Sequence, residues 1–242
     1  MTEPKTALVT GANKGIGYEV ARWLASEGYT VWMGARDAQR GEAAVAALKG
    51  AGLDVRLLKI DVADDASVAN AAHALASETG RLDVLINNSG IALGFDKPPS
   101  AEPIAQIKTI YEVNVFGPIR VTQAFLPLLK AAPAPRIVMV SSGLASLSRL
   151  TDPSNEFYGY NQLGYNSSKT ALNAITVAFA KELAASGFKV NAADPGYTAT
   201  DLNGNSGYRT VEQAAEVIIK LATLPPDGPN AAFFDEHGAE TW

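Results

Sequence analysis

Thr6-Ala7-Leu8-Val9-Thr10-Gly11-Ala12-Asn13-Lys14-Gly15-Ile16-Gly17 is a short apolar run, then a glycine-rich turn, then the start of a helical pattern. A run of this length with almost no polar interruption reads as a strand buried on both faces, the environment of a parallel sheet covered by helices. The helical period continues over residues 16–27. Glycine allows a tight strand-to-helix turn, and the unpaired N–H groups at the start of the helix attract an anion such as a phosphate.

Working outward, β-rich runs recur at residues 30–34, 55–60, 84–87, 137–141, 190–193 and 231–234. Helical patterns fill the gaps at 40–49, 66–79, 104–129, 167–186 and 211–223. This alternation predicts a doubly wound α/β fold of the Rossmann type, with a parallel seven-stranded sheet and helices on both faces. No repeat or low-complexity linker divides residues 1–242, so one domain is expected, and its size is compatible with a single core. Three irregular stretches, 91–103, 143–164 and 197–210, each follow the carboxyl end of a strand. Ligands bind at that edge in open parallel sheets, so these loops are the expected substrate rim.

The bulk properties exclude several classes of function. Hydrophobic residues are 47% of the chain and charged residues 19%, the balance of a folded globular protein. A net charge of -5 argues against a nucleic acid or an anionic membrane as partner. The absence of cysteine excludes disulfides and thiolate chemistry and suits a reducing compartment. Met1-Thr2-Glu3-Pro4-Lys5 lacks the character of a signal peptide and no apolar run reaches spanning length, so a cytoplasmic location is expected. His73 and His237 have no ligand spacing around them, and no metal is expected.

The turn Thr-Gly-x-x-x-Gly-x-Gly resembles that of the short-chain dehydrogenase/reductase family, and the resemblance runs along nearly the whole chain. Asp61-Val62 after the third strand is similar to the family's adenine contact, and Asn87-Asn88-Ser89-Gly90 after the fourth is similar to its Asn-Asn-Ala-Gly signature, with Ser89 in place of alanine. The resemblance implies that Gly11, Asn13, Lys14, Gly15, Ile16, Gly17, Asp61, Val62, Asn88 and Gly90 line a dinucleotide. It also implies that the loop Asp194-Pro195-Gly196-Tyr197-Thr198-Ala199-Thr200 holds the nicotinamide carboxamide through Pro195, Gly196, Thr198 and Thr200. At the end of the second strand, where relatives selective for NAD carry an acid, the chain has Ala35 and then Arg36. A guanidinium there pairs with a 2′-phosphate, Lys14 adds a second cation, and the expected cofactor is NADP(H). Asp37 is the competing feature, since it would serve a bare ribose if the strand ended two residues later.

Tyr165 and Lys169 stand four apart at the entry to a helix, on one face. Ser141-Ser142 closes the fifth strand, and Asn114 lies in the preceding long helical pattern. Together Asn114, Ser142, Tyr165 and Lys169 resemble the family's catalytic set, with Ser142 in the catalytic position and Ser141 turned into the backbone. Tyr165 is then the general acid/base for reversible reduction of a carbonyl to an alcohol, and Lys169 is expected to lower its pKa and to hold the nicotinamide ribose. Ser142 is expected to hydrogen-bond the substrate oxygen and Asn114 to position a water.

The residues Leu93, Phe95, Tyr158, Tyr160 and Tyr197 in the three loops suggest a partly apolar small-molecule carbonyl or alcohol. Asn13-Lys14-Gly15 with Ala35-Arg36-Asp37 is most similar to the NADPH-dependent carbonyl reductase branch. Reduction of an activated C=C bond and a catalytically silent NADPH-binding regulator remain as alternatives. A dimer or tetramer is the family pattern, but the long interval between Ser142 and Tyr165 is compatible with a monomer.

Overall fold

A computed structural model describes residues 4–94 and 97–242. Its sheet has eight strands in the order β3-β2-β1-β4-β5-β6-β7-β8. The strands are β1 Thr6–Thr10, β2 Thr30–Ala35, β3 Val55–Lys59, β4 Val84–Asn87, β5 Arg136–Val140, β6 Lys189–Ala193, β7 Phe233–Phe234 and β8 Ala239–Glu240. The first seven pair in parallel, as the alternating pattern predicts, while β8 returns antiparallel against β7. This eighth strand corrects the count of seven. Two residues cannot show a period-2 pattern, so nothing local marks it.

The helices are α1 Gly15–Ser26, α2 Ala38–Gly50, α3 Asp65–Glu78, α4 Ile104–Tyr111, α5 Gly117–Lys130, α6 Leu147–Leu150, α7 Leu163–Leu183 and α8 Val211–Ala222. Along β1, Ala7 and Val9 face a core shared with Val20 and Leu24 of α1, Val45 and Leu48 of α2, and Ile218 and Leu221 of α8. Leu8 faces the opposite core, built with Leu75 of α3, Phe125 of α5 and Leu172 of α7. Alternation along each strand thus loads both faces, and every residue of β1, β2, β4 and β5 is buried. Each large side chain buried in this way contributes about 1.5–3 kcal/mol. Helices change faces between the neighbouring strands β1 and β4, which opens a crevice at their carboxyl ends.

The single helix expected over 104–129 is two helices joined by a π turn, Glu112–Phe116. Pro118 supplies a reason. It has no N–H for the carbonyl of Asn114 four residues earlier, so the regular ladder is interrupted there and a wider turn is accommodated. The helix expected from 167 begins earlier, at Leu163, with Tyr165 already inside its first turn.

Candidate active site

The glycine turn is built against the end of β4. Thr10 Oγ1 accepts the N–H groups of Asn88 and Ser89, each at 3.0 Å, and Asn88 Nδ2 donates to the Thr10 carbonyl at 2.8 Å. Gly11 and Gly15 have φ of +66° and +59°, the left-handed region where a side chain is strained. A Cβ on Gly17 would lie 2.4 Å from Asn88 Nδ2, so β4 and α1 approach only because that position is bare.

The residues of this turn fit the pyrophosphate of a dinucleotide. Helices α2, α3 and α8 have N-terminal amides capped by Asp37, Asp64 and Thr210, whereas α1 has no side-chain cap and no acid in its first turn. Its N–H groups remain available to an anion at the β1/β4 crevice. Ile16 packs its side chain into the adjoining core. Thr200 lies against the turn from the opposite side, with its Cγ2 3.7 Å from where a Cβ of Gly15 would be.

At the adenine end, β2 stops at Ala35, which places Arg36 just beyond it and three-quarters exposed, with its Nε 4.0 Å from Asp61 Oδ2. Asp61 Oδ1 accepts from the N–H of Ala63, and Val62 is buried against Gly117. Asp37 caps α2 by accepting from the N–H of Arg40 at 3.0 Å. Lys14 reaches in another direction and pairs with Asp201 at 2.5 Å, joining the glycine turn to the loop after β6.

The four reactive residues converge at the same edge. Ser142 follows β5, caps the short turn Gly143–Ala145 by accepting from the N–H of Leu144, and hydrogen-bonds Tyr165. One turn further along α7, Lys169 Nζ lies 5.8 Å from the Tyr165 ring centre and donates to the Val140 carbonyl at 2.8 Å. Asn114 sits in the π turn, completely buried. Its Oδ1 accepts from the N–H of Ile91, while its Nδ2 donates to the Ile91 carbonyl and to Ser168 Oγ. It therefore pins the loop after β4 to α7. A Cβ on Gly90 would lie 3.4 Å from Lys169 Nζ and 3.6 Å from Asn114 Oδ1, so glycine leaves a bare approach to both.

One expectation changes in detail. Ser141 does not turn into the backbone: its hydroxyl donates to Asn173 Oδ1 at 2.7 Å, inside the core beneath the site. Burial pushes Tyr165 up to about 12, against the hydrogen bond with Ser142 and with Asp194 adding to the rise. Burial likewise pushes Lys169 down to about 8, with Asp194 opposing. Desolvation outweighs the Ser142 hydrogen bond at Tyr165 and the Asp194 charge at Lys169 because both groups are enclosed.

The loop after β6 closes the other side. Gly196 has φ of +71°, and Thr198 turns its hydroxyl back to the carbonyls of Pro195 and Gly196. Asp194 and Glu102 are buried acids that sequence reading passed over. Glu102 accepts from the N–H of Gly164 at the start of α7, immediately before Tyr165. Glu102 carries no local signature, since it acts on a backbone amide distant in the chain, and the link from Asp194 to Gly143 is likewise distant although its bond to the N–H of Gly196 is local.

Of the expected lining residues, Leu93, Tyr158, Tyr160 and Tyr197 are exposed on the rim, and Phe95 lies outside the described residues. A small cavity of about 140 Å³ lies behind Gly196, lined in part by Phe157, Asp194, Tyr208 and Arg209. A larger cleft of about 630 Å³ between β3 and α3 contains none of the reactive residues, so chemistry rather than size locates the site. Among the described residues there is no cluster of three or more metal-ligating side chains, and no helix long and apolar enough to cross a membrane.

Fold and site together define an oxidoreductase built on a dinucleotide-binding sheet, and the chain belongs to the short chain dehydrogenase family, which it matches over residues 5–210. Among its relatives is (+)-neomenthol dehydrogenase of Capsicum annuum, 32% identical over 96% of this chain and 96% of that protein. Another is carbonyl reductase (NADPH) 3 of Mus musculus, 33% identical over 98% of each chain. The NADPH-bound carbonyl reductase from chicken fatty liver superposes with a TM-score of 0.87 at 27% identity, covering 100% of both chains. Salutaridine reductase from Papaver somniferum does so at 0.83 and 28%, over 96% of this chain and 99% of that one.

Proposed function

We propose that this protein reduces the carbonyl of a partly apolar ketone or aldehyde to an alcohol with NADPH, and that Tyr165 donates the proton. The observation that carries this reading is the hydrogen bond between Ser142 and Tyr165, with Lys169 one helical turn away, at the sheet edge that also bears the uncapped α1 terminus. Relatives similar over almost their whole length include reductases, one of them named for NADPH.

When bound, NADPH supplies the hydride. The chain has a residue for each part of it: Gly11, Asn13, Gly15, Ile16 and Gly17 for the pyrophosphate, Arg36 with Lys14 for the 2′-phosphate, and Asp61 and Val62 for the adenine. Asn88, Gly90, Tyr165 and Lys169 would hold the nicotinamide ribose, and Pro195, Gly196, Thr198 and Thr200 would hold the carboxamide. Ser142 donates to the substrate oxygen as negative charge builds there. Tyr165, kept protonated by burial, then gives up its proton. Lys169 stabilises the phenolate left behind, and the Asn114 carbonyl, lacking a donor at the i+4 position, holds a water that returns the proton from solvent.

Loss of NADPH absorbance across ketones, aldehydes and enones, with product analysis, tests the reaction class. Tyr165→Phe is expected to lower turnover about 10²–10⁴-fold with NADPH affinity, read by fluorescence titration, unchanged. Full activity in that variant would overturn the role of Tyr165. Tight NADPH binding without turnover of any compound would favour a regulator.

A further inference from the structure

Asp194 follows the last residue of β6 and is 4% exposed. Its Oδ1 accepts from the N–H of Gly196 at 2.9 Å, and its carboxylate also accepts from the N–H of Gly143. A Cβ on Gly143 would lie 2.8 Å from Asp194 Oδ2, so only glycine admits this approach. One buried side chain thus ties together two turns from separate strands: the turn of Ser142, which hydrogen-bonds Tyr165, and the turn of Pro195-Gly196.

Two backbone N–H donors suit an anion, because a hydrogen bond to a charged acceptor is stronger than one to a neutral group. The charged and titratable groups around it come from several elements. Tyr165 and Lys169 face it from α7, Arg149 from α6, Asp235 from the segment after β7, and Glu240 from β8. Glu156, Arg209, Glu236 and His237 line the adjoining cavity. Burial pushes the Asp194 carboxyl up, opposed by the Gly196 and Gly143 amides and by Arg149, which is itself shared with Asp235 and Glu240; once ionised, Asp194 brings a buried negative charge beside α7. That charge favours the protonated forms of both Tyr165 and Lys169.

We propose that Asp194 is a positioning residue for the reaction, its carboxylate holding the Ser142 and Pro195-Gly196 turns in register beside Tyr165. The inference rests on the reading of Tyr165 as proton donor. It makes Asp194 a determinant of the pH window in which reduction runs.

The test compares wild type with two neutral variants, Asp194→Asn and Asp194→Ser. In both, the alkaline limb of kcat/KM for ketone reduction is expected to move to lower pH by at least about half a unit. Both variants should remain folded by circular dichroism, with a melting temperature lowered by the loss of hydrogen bonds to a charged acceptor. A second readout needs no substrate: tyrosinate absorbance, taken as the difference between each protein and its Tyr165→Phe counterpart, should appear at lower pH in the neutral variants. Superimposable titrations, or a rate loss independent of pH, would overturn the proposal. Failure of both variants to fold would also overturn it, because the carboxylate would then serve the fold rather than the reaction. If Tyr165→Phe retains activity, the reading of Tyr165 fails; if it is inactive while Asp194→Asn shows no shift, only the role of Asp194 fails.

Discussion

Arg36 illustrates how one side chain discriminates between cofactors that differ by a single phosphate. It projects from the end of β2, and among the described residues its ion-pair partner is Asp61, at 4.0 Å. A planar guanidinium in that position gains two hydrogen bonds from a 2′-phosphate and little from a hydroxyl. Asp37, the competing residue, has its carboxylate engaged at the start of α2. We expect Arg36→Asp to weaken NADPH binding about ten- to a hundredfold and NADH binding little, by fluorescence titration. Equal losses for both cofactors would remove Arg36 from the phosphate. Lys14 is a less direct contributor, because it must leave Asp201 before it can face a phosphate.

At the scale of the element, the placement of Tyr165 depends on how α7 starts. Gln162 at the N-cap offers no side-chain bond, and the amide of Gly164 is instead taken by the buried carboxylate of Glu102, which arrives from the loop before α4. A Cβ on Gly164 would lie 2.4 Å from Glu102 Oε1, so the glycine is needed for that approach. Glu102→Ala removes a hydrogen bond to a charged group and is expected to cost about 1–3 kcal/mol of stability, measured by urea unfolding. A fall in kcat larger than the change in KM should accompany it, since the residue after Gly164 is Tyr165. Wild-type stability and kcat in that variant would show that α7 is positioned by packing alone. The π turn works similarly for Asn114, widening the helix where the side chain must reach both Ile91 and Ser168.

At the scale of the whole molecule, β8 clasps α6 against the sheet edge through Glu240 and Arg149. Glu240 is enclosed by Arg149 of α6 and by Asp235, while Trp242 stacks on Phe233 with ring centres 5.7 Å apart. Burial, with the hydrogen bond to Asp235, pushes Glu240 up to about 8, so we expect the two carboxyls to share one proton below that pH. A carboxyl whose folded pKa is raised stabilises below its unfolded value and loses that contribution as pH rises through the folded one. Wild-type stability from this pair should therefore decline from about pH 4.5 to about pH 8. Glu240→Gln keeps a donor for Asp235 without the ionisation, so its melting temperature should gain on that of wild type across this interval; a constant gap would refute the shared proton. The sequence by itself determined the parallel sheet, the anion-binding turn and the pairing of Tyr165 with Lys169, because strand alternation, turn glycines and i,i+4 spacing are fixed by local backbone geometry. Only the tertiary structure decided that Asp194 reaches Gly143, that Glu102 caps α7, that Lys14 meets Asp201 and that β8 exists. Those contacts join residues far apart in the chain, and no local period records which distant strand ends the fold will bring together.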